Sequence, residues 1–573
     1  MASWLMANKL KFNERRILIS VDRGDTESQL LASQIPYIHH NRILTEFTTS
    51  PRNIDLVLKL FRNIDGESIG KVPPNIQRLY EAEMLRRIYT KMLIDTGPIE
   101  MADSFLWRHQ QLGVQLAQAN DRFAFFYDTR TGKTPMSLQI ISDDIAKNPH
   151  HKWVVLCPLI LIENAWLPDA AAMFPHLKII STHATTKSKR LALFKQKANV
   201  YVCNIESFIT YQKEIEALQA YGCFVDESST MKSNSSKFGK AAVEYAYAVK
   251  KWYLLSGTPA PNGEWEYYRQ LQSVDYYGVH QSYSQFTQYF FDNISRNPQY
   301  QKLKVKDERR EELISLVQGM SLYVDKEDVL TTPGRDFKTI ELEMPEDLKK
   351  HYKKLKQELY LELGEQIMIT APSTAASLNK LNQVSSGFIM DTQARKLNKQ
   401  YQQAGFGKDF EAEKEVHLLS MYRFEKLVEL LESFGDDQAI IWCNYREEFR
   451  IIKELLGDTC SLVYGGVNNE QKNQALRDFK SGKVQWLVAN PASADKGLTL
   501  TNAHIAVYFS QGYSYEYYKQ SLERIYGDVI KQPKRCIYFT FIAKSTVDVA
   551  IHETLSNKGD MSAAVLEHLK GGI

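Results

Sequence analysis

The residues with the clearest chemical potential lie between an apolar run and a helical pattern near position 130. The apolar run covers residues 123–127 and leads into Asp128-Thr129-Arg130-Thr131-Gly132-Lys133-Thr134. A strand, a tight turn and a helix N-terminus ending in Gly-Lys-Thr are typical of a loop whose backbone N–H groups and helix dipole face a phosphate. Lys133 would then reach the β- and γ-phosphates, and the Thr134 hydroxyl would bind Mg²⁺. The full pattern has Gly at position 127, which is Tyr here, so a chance Gly-Lys-Thr explains this stretch equally well.

Carboxylates and hydroxyls follow two later apolar runs. Asp226 and Glu227 come directly after residues 223–225, and Ser256-Gly257-Thr258-Pro259 follows residues 252–255. In open α/β sheets, ligands bind at the carboxyl ends of the strands. At such a place Asp226 would hold Mg²⁺ through water, and Glu227 would orient or deprotonate an attacking water. Each segment alone is explained by a cap or a loop, but their order predicts a nucleotide site.

The wider series of motifs resembles that of the superfamily-two helicases, specifically their Swi/Snf-type branch. The resemblance extends over about residues 106–558, and the compact loop and short lobes are most similar to phage and prokaryotic members. It is carried, in chain order, by Arg108-His109-Gln110, Thr131-Gly132-Lys133-Thr134, Cys157-Pro158-Leu159 with Asn164 and Trp166, Asn204-Ile205-Glu206-Ser207, Asp226-Glu227-Ser228-Ser229, Ser256-Gly257-Thr258-Pro259-Ala260-Pro261-Asn262, Ile440-Ile441-Trp442-Cys443-Asn444, Tyr464-Gly465-Gly466, Phe479, Ala494-Asp495-Lys496-Gly497-Leu498-Thr499-Leu500 and Gln520-Ser521-Leu522-Glu523-Arg524.

This resemblance implies an enzyme that hydrolyses ATP with Mg²⁺ and acts on double-stranded or branched DNA. It implies that Gln110 contacts adenine, that Asp226 and Glu227 serve the metal and the water, and that Arg524 reaches the γ-phosphate as an arginine finger. The implied ATP-binding set is Gln110, Arg130, Thr131, Gly132, Lys133, Thr134, Gly497 and Gln520, with Thr134 and Asp226 as Mg²⁺ ligands. The implied DNA-facing set is Asn204, Ser207, Ser493 and Thr499. Contacts from these four residues would go to phosphates and be largely blind to sequence.

One position departs from the family pattern. The family has Gln, three residues, Arg, two residues, Arg, whereas the second arginine position here is Gly527. An arginine finger is worth ~10³-fold or more in rate. Three explanations stay open: Arg524 suffices, Lys531 or Arg535 substitutes, or the protein hydrolyses ATP slowly. A double-stranded DNA translocase, a DNA-binding regulatory protein with a vestigial ATPase and, ranked lowest, an RNA helicase are the competing functions.

The elements that position these residues divide the chain into four predicted regions. Short β-rich apolar runs alternate with helical patterns in residues 99–275 and 416–573, which predicts two RecA-like α/β lobes with parallel sheets. Residues 276–415 are more helical, charged and aromatic, and are predicted to be helical insertions and an inter-lobe linker. Residues 1–98 are predicted to form a small α+β accessory domain, with strands at 16–21 and 42–47 and helices at 26–33 and 53–61.

The layout of that N-terminal region is similar to the HARP domain that accompanies annealing helicases and fork-remodelling ATPases. It lacks the Trp often found in the second strand of that domain, and a generic accessory wing is the alternative. A HARP-like module would favour DNA junctions or forks as the substrate.

Composition sets the remaining expectations. The 573 residues are too many for one hydrophobic core. The net charge of +3 means that a nucleic acid would be held by local basic patches rather than by the overall field. The six cysteines have no CxxC spacing, so we expect reduced core residues rather than a zinc site. No apolar run approaches a membrane span and no signal peptide is evident, so we expect a protein of the bacterial or phage-infected host cytoplasm.

Overall fold

The computed structural model describes residues 9–13, 16–20, 26–33, 35–41, 46–57, 74–101, 104–280, 282–294, 303–365, 379–390, 416–493, 499–530 and 532–556. They form two compact units, one within residues 9–329 and one within residues 330–556. Within this described part, no helix has both the length and the apolar content that crossing a bilayer requires. All six cysteines are buried and free.

The first unit begins with a small antiparallel sheet. Its strands are β1 (Lys9–Asn13), β2 (Arg16–Ser20), β3 (His39–Asn41) and β4 (Glu46–Thr49), in the order β1-β2-β4-β3, and α1 (Thr26–Ser33) lies between β2 and β3 in the chain. The predicted strand at residues 16–21 is confirmed over residues 16–20, since Val21 lies outside the described residues, and the predicted helix at 26–33 is confirmed. The predicted strand at 42–47 appears as β4, and its residues 42–45 lie outside the described residues. A 3₁₀ turn (Pro51–Asn53) and a helix from residue 54 follow, of which residues 58–61 are also outside the described part.

This small sheet packs on the rest of the first unit through polar contacts. The Ser50 hydroxyl donates to Asp275 Oδ2 at 2.6 Å, and the Tyr37 hydroxyl donates to Glu312 Oε1 at 2.8 Å. His39 Nε2 donates to the carbonyl of Val279 at 3.1 Å. The N-terminal residues therefore belong to the same compact unit, and the predicted boundary at residue 98 stays a prediction.

The main body of the first unit, called lobe 1, is a seven-stranded parallel sheet. Several of its strands are buried along their whole length, as expected when helices cover both faces of a parallel sheet. The strands are β5 (Arg122–Tyr127), β6 (Trp153–Cys157), β7 (Ile179–Ser181), β8 (Val200–Asn204), β9 (Gly222–Asp226), β10 (Lys251–Leu255) and β13 (Ser321–Val324), in the order β13-β5-β10-β9-β6-β8-β7. The β11 (Phe291–Asn293) and β12 (Leu303–Val305) strands form a separate hairpin.

Helices connect these strands. They are α2 (Pro74–Thr96), α3 (Arg108–Ala119), α4 (Lys133–Lys147), α5 (Leu167–Met173), α6 (Lys187–Phe194), α7 (Gln212–Ala217), α8 (Lys237–Ala246), α9 (Tyr267–Val274), α10 (Tyr283–Phe290), α11 (Arg310–Gln318) and α12 (Lys326–Val329). A short turn (Leu159–Leu161) and a π-helical turn (Ile162–Trp166) lead into α5.

The second unit, called lobe 2, has a six-stranded parallel sheet. Its strands are β14 (Arg335–Leu342), β17 (Ala439–Trp442), β18 (Cys460–Val463), β19 (Trp486–Ala489), β20 (Ile505–Tyr508) and β21 (Cys536–Ala543), in the order β14-β21-β20-β17-β19-β18. A hairpin of β15 (Phe388–Met390) and β16 (Val416–Leu418) is separate. The helices include α13 (Glu346–Glu365), α14 (Tyr422–Glu432), α15 (Arg446–Leu456), α16 (Asn469–Lys480) and α17 (Tyr515–Leu522), and residues 379–385 and 547–556 are also helical. The predicted fold class, two parallel α/β lobes with a small α+β N-terminal part, is confirmed.

The region predicted to be helical insertions, residues 276–415, also supplies an edge strand to each sheet. β13 pairs with β5 in lobe 1, and β14 pairs with β21 in lobe 2. The expectation of a helical region misses both strands. β14 reads Arg-Asp-Phe-Lys-Thr-Ile-Glu-Leu, and half of its residues are exposed, as is possible for a strand at the edge of a sheet. The predicted boundaries at residues 275 and 416 stay predictions.

Candidate nucleotide and nucleic-acid site

The loop between β5 and α4, residues 128–134, is called the phosphate loop below. Gly132 stands at the N-cap of α4 with φ of 79°, a left-handed conformation that favours glycine. A Cβ added at Gly132 would meet the amide end of Gln110, which would have to move. The Thr131 hydroxyl donates to the carbonyl of Asp128 at 2.7 Å. Together these features hold the loop in one tight turn at the start of the helix.

Lys133 is folded over the phosphate loop. Its ammonium donates to the carbonyl oxygens of Tyr127 at 3.0 Å and Asp128 at 3.1 Å. Thr134 follows in the first turn of α4 and is partly exposed. A lysine and a hydroxyl at a helix N-terminus, where backbone N–H groups lack partners within the helix, form a donor set suited to a phosphate and its Mg²⁺.

Gln110 and its neighbour contact the same loop from α3. His109 Nε2 donates to the carbonyl of Thr131 at 2.7 Å, and Gln110 Nε2 donates to the same oxygen at 3.0 Å. Gln110 Oε1 accepts the backbone N–H of Trp107 at 3.0 Å. Sequence and structure therefore agree that Gln110 lies at the phosphate loop, while its contact with adenine stays a prediction.

Asp226 ends β9 and is only 4% exposed. One of its oxygens accepts the indole N–H of Trp166 at 3.0 Å, and the other accepts the backbone N–H of Glu227 at 3.0 Å. Burial, followed by the charge of Glu227, raises the pKa of Asp226 to about 6, although Lys133 opposes the rise. Glu227 has φ of 60°, a strained conformation for a non-glycine residue that is common at functional sites. The pair is therefore a buried carboxylate beside a more accessible one.

The turn after β10 joins the same cluster. The Ser256 hydroxyl accepts the backbone N–H of Thr258 at 3.1 Å, and a Cβ added at Gly257 would lie 3.2 Å from the backbone nitrogen of Thr129. The Ser228 hydroxyl donates to Gln270, whose amide donates to the carbonyl of Pro259. Since β5, β10 and β9 follow one another in the parallel sheet, the three predicted segments meet at the carboxyl ends of these strands, along one side of lobe 1.

The predicted DNA-facing residues of lobe 1 follow β8, which β9 and β6 separate from β10. Asn204 Oδ1 accepts the backbone N–H of Glu206 at 3.2 Å and thereby caps a short turn. Ser207 Oγ accepts Arg190 Nη1 at 3.2 Å, and Arg190 also donates to His183 Nδ1 at 3.2 Å. Arg190 was not among the predicted site residues. The sequence signal for it was the run Lys187-Ser-Lys-Arg190 at the start of α6.

In lobe 2, Arg524 lies just beyond the end of α17, in a turn of residues 523–528 called the arginine turn below. Arg524 is 6% exposed, and its carbonyl accepts the backbone N–H of Leu500 at 2.9 Å. The predicted DNA-facing residue Thr499 therefore directly precedes Leu500, which contacts Arg524. The predicted ATP-binding residue Gln520 is buried in α17. Ser493 follows β19, and its N–H donates to the carbonyl of Asn490 at 2.9 Å. Gly497 lies outside the described residues.

The position that departs from the family pattern, Gly527, is buried. Of the two predicted substitutes, Lys531 lies outside the described residues. Arg535 is 61% exposed, and its guanidinium pairs with Asp336 at 2.6 Å. That carboxylate raises the pKa of Arg535, and the guanidinium in turn holds the pKa of Asp336 below its usual value. Arg535 is therefore already engaged at the start of β21.

A second arginine that the motifs did not reveal lies beside the arginine turn. The Arg335 guanidinium is 3.1 Å from Glu523 Oε1 and stacks 3.6 Å above the centre of the Tyr526 ring. Arg335 opens β14, the edge strand that sequence reasoning missed. No motif pattern marks it, because its partners are almost two hundred residues away in the chain.

Comparison with known proteins places this arrangement in a class. A Gly-Lys-Thr loop after one strand and a carboxylate pair after another strand of the same parallel sheet, with β10 between the two, define a P-loop type nucleotide-binding lobe. A model of the SNF2-related domain matches residues 84–402, and a model of the helicase conserved C-terminal domain matches residues 422–526. The first match alone covers more than half of the 573 residues, so the chain belongs to the SNF2-related domain family.

Individual relatives are more distant. The chain is 26% identical over 455 residues to the putative protein p41 of Acyrthosiphon pisum secondary endosymbiont phage 1, which covers 77% of this chain and 93% of that protein. The ATP-dependent RNA helicase DBP3 of Lodderomyces elongisporus is 28% identical over 108 residues, or 18% of this chain and 20% of the relative. The chain thus spans about a fifth of that RNA helicase.

Among solved structures, the chain is similar to a Sulfolobus solfataricus SWI2/SNF2 ATPase core in complex with dsDNA. The identity is 17%, the TM-score is 0.37, and the match covers 80% of this chain and 92% of that one. The fold assignment rests on the two sheets themselves rather than on this likeness. The predicted resemblance to the Swi/Snf-type branch is confirmed by the family match, and the similarity of the N-terminal sheet to a HARP domain stays a prediction.

Proposed function

We propose that this protein is an ATP-dependent double-stranded DNA translocase that remodels, anneals or branch-migrates DNA in replication, recombination or repair. The observation that carries the proposal is the convergence of the phosphate loop, Asp226 and the Ser256–Pro259 turn at one edge of lobe 1. In a member of the SNF2-related family, this edge is where a nucleotide would drive movement. A location in the bacterial or phage-infected host cytoplasm is part of the proposal, because the DNA substrate is accessible there.

ATP and Mg²⁺ fit the donors at this edge. Lys133 and the N-terminus of α4 would bind the phosphates, with Arg130, Thr131 and Gly132 shaping the loop around them. Thr134 and Asp226 would hold the metal ion, and Glu227 would orient the attacking water. Bound Mg²⁺ would neutralise charge that develops on the phosphates. A bound cation would stabilise the ionised form of Asp226 and so offset the burial that raises the pKa of this carboxyl group.

We further propose that Arg524, Gln520 and Gly497 complete the ATP site from lobe 2, so that ATP draws the lobes together and hydrolysis releases them. Asn204, Ser207, Ser493 and Thr499 would contact the DNA backbone. Arg190 extends this set, since its guanidinium is hydrogen-bonded to Ser207 and arginine binds phosphate well. Such contacts position a duplex without reading its sequence.

A second candidate is a DNA-binding regulatory protein whose ATPase is weak. Gly527 is the observation that favours it, since one of the two arginines of the family pattern is missing. An RNA helicase remains the lowest-ranked candidate, because the matches to RNA helicases such as DBP3 are short.

The test is ATP turnover measured without nucleic acid and with duplex DNA, forked DNA, single-stranded DNA and RNA. We expect duplex or forked DNA to stimulate turnover most. Absence of stimulation by any DNA would refute the translocase, and stimulation by RNA alone would favour the RNA helicase.

The same assay on Gly527→Arg separates the first two candidates. An active wild type whose turnover is unchanged by Gly527→Arg shows that Arg524 suffices. A wild type that is nearly inactive and is strongly activated by Gly527→Arg, with folding intact by circular dichroism, supports the regulatory protein.

A further inference from the structure

A run of hydroxyl and cationic side chains lies at the start of α6 in lobe 1. Residues 185–190 read Thr-Thr-Lys-Ser-Lys-Arg and are called the basic turn below. All of them are exposed except Arg190, which is half-buried. Hydroxyl, ammonium and guanidinium groups are among the side chains that proteins use to bind the phosphate oxygens of DNA. The composition of the basic turn therefore matches a phosphate backbone.

The basic turn stands in a wider stretch of sequence without carboxylates. Residues 170–205 contain five lysines and one arginine but no Asp or Glu, whereas the whole chain has a net charge of only +3. A nucleic acid bound by a nearly neutral protein must be held by local basic patches of this kind. Charge alone does not distinguish a binding surface from a solvated one, so the contacts of the side chains decide.

Arg190 connects the basic turn to the predicted DNA-facing residues. Its guanidinium donates to the carbonyl of Ala184 at 2.6 Å, to Ser207 Oγ at 3.2 Å and to His183 Nδ1 at 3.2 Å. Burial, followed by the charge of Arg190, lowers the pKa of His183, although Glu163 opposes the shift. The ring is therefore neutral at pH 7, and none of the three acceptors carries a negative charge. Arg190 is thus fixed beside Ser207 with its positive charge available to an anion.

The backbone of the basic turn is held by the first turn of α6. The Thr186 hydroxyl accepts the backbone N–H of Lys189 at 3.3 Å, and the Thr186 carbonyl accepts the backbone N–H of Arg190 at 3.1 Å. Lys187 and Arg190 are three positions apart on this helix, so their side chains lie on the same face. The capped start of α6 therefore presents Lys187 beside the arginine that contacts Ser207.

The place of the basic turn in the sheet separates it from the phosphate loop. The basic turn follows β7, the outermost strand of lobe 1, whereas the phosphate loop follows β5. Five strand-to-strand steps lie between β5 and β7, which at about 4.8 Å each amounts to about 24 Å. A change in the basic turn should therefore leave ATP binding intact.

We propose that Lys187, Lys189 and Arg190 of the basic turn bind the phosphate backbone of duplex DNA. This assignment rests on the proposed function, because it names the place on lobe 1 where the DNA partner would lie. Residues 184–190 contain no aromatic side chain, whereas surfaces for single strands stack the bases on aromatic rings. A duplex, whose phosphates face outward and whose bases are already paired, is therefore the partner that fits.

The experiment measures the Kd of the full chain for a fluorescent mixed-sequence duplex by fluorescence anisotropy, between about 50 and 200 mM salt. The test variant combines Lys187→Gln with Lys189→Gln. The matched control combines Lys195→Gln with Lys197→Gln, which removes the same charge from two exposed lysines just beyond the other end of α6. A third variant, Lys187→Arg with Lys189→Arg, keeps the charge. Single-stranded DNA, RNA and DNA-stimulated ATP turnover are measured with the same proteins.

We expect the slope of log K against log salt concentration to become shallower by about 1.8 in the test variant, about 0.9 for each of two lost phosphate contacts. Its Kd for the duplex at low salt should rise on the order of 10-fold. The duplex concentration for half-maximal ATP turnover should rise in parallel, while KM for ATP stays within about twofold. The matched control and the arginine variant should keep the slope of the wild type within about 0.5.

Equal changes of slope in the test variant and the matched control would overturn the inference, because net charge rather than the basic turn would then govern binding. A loss of affinity confined to single-stranded DNA or to RNA would also overturn it. Failure of the proposed function looks different: the wild type would neither bind duplex DNA nor hydrolyse ATP faster in its presence. If the wild type does both and the test variant behaves like the matched control, only this inference fails.

Discussion

The phosphate loop of lobe 1 and the arginine turn of lobe 2 would act on the same ATP, but different kinds of contacts hold them. In lobe 1, Gln110 and Lys133 contact the loop, and both are residues that the family motifs mark. In lobe 2, Arg335 and Thr332 contact the arginine turn, and no motif marks either. The nucleotide-binding half is thus built from local sequence, whereas the arginine-bearing half depends on a distant edge strand.

The largest effect should come from the phosphate loop. Lys133→Ala removes the ammonium that would bind the β- and γ-phosphates, and we expect kcat to fall about 10³-fold, as for loss of one preorganised electrostatic donor. The control is Lys147→Ala, an exposed lysine at the far end of the same helix. Turnover of Lys133→Ala within about threefold of the wild type would contradict the assignment of this loop.

The next largest effect should show which arginine of lobe 2 assists ATP hydrolysis. Arg524→Ala should lower kcat about 10³-fold, because the charge that stabilises the transferring phosphoryl group is lost. Arg535→Ala should change little, since the Arg535 guanidinium pairs with Asp336. Steady-state kinetics at saturating ATP and DNA measure both. Equal losses in the two variants would show that Arg535 substitutes for the missing arginine.

A smaller effect should follow from a contact behind the metal site. Trp166→Phe removes the N–H that Asp226 accepts, and we expect the Mg²⁺ concentration for half-maximal turnover to rise about tenfold, as for other groups that orient a metal ligand. Trp153→Phe is the matched control, because the Trp153 indole donates to Asp144 at 2.8 Å. An equal Mg²⁺ requirement in the two variants would argue against Asp226 as a ligand.

The smallest effect should be on the pH dependence of unfolding, through a histidine that packs between the N-terminal residues and lobe 1. Burial lowers the pKa of His280 to about 4; Tyr37 and Phe290 pack on its ring, nearby Glu312 opposes the shift and His39 adds to it. The folded state therefore binds fewer protons than the unfolded state between pH 4 and the ordinary value of 6.5. The free energy of unfolding is therefore not reduced by His280 above pH 6.5, and it decreases as the pH falls from 6.5 toward 4, because the unfolded state takes up a proton that the folded state does not.

We expect the unfolding midpoint to fall less between pH 7 and pH 4.5 in His280→Phe than in the wild type. Thermal unfolding followed by circular dichroism measures this difference. The control is His417→Phe, which replaces an exposed histidine of the β15–β16 hairpin. The same pH dependence in His280→Phe and in the wild type would contradict the role of His280.

The sequence by itself determined the central strands of both lobes and the placement of their motifs. Buried strands such as β6 and β9 are continuous apolar runs, and Gly132 and Asp226 follow such runs directly, so short-range patterns were sufficient to locate them. The roles proposed for individual residues of the ATP and DNA sites remain predictions, since position at a strand end does not show what is bound.

Only the tertiary structure revealed β13, β14, Lys326 and Arg335. β14 is half exposed and carries no continuous apolar run. β13 is buried but only four residues long, and its place in the sheet depends on β5, which lies far earlier in the chain. The contact of Lys326 with Thr129 joins positions almost two hundred residues apart, and a local pattern cannot encode it. The arginine turn is similar in this respect, because Glu523 and Tyr526 meet Arg335 only after β14 has paired with β21.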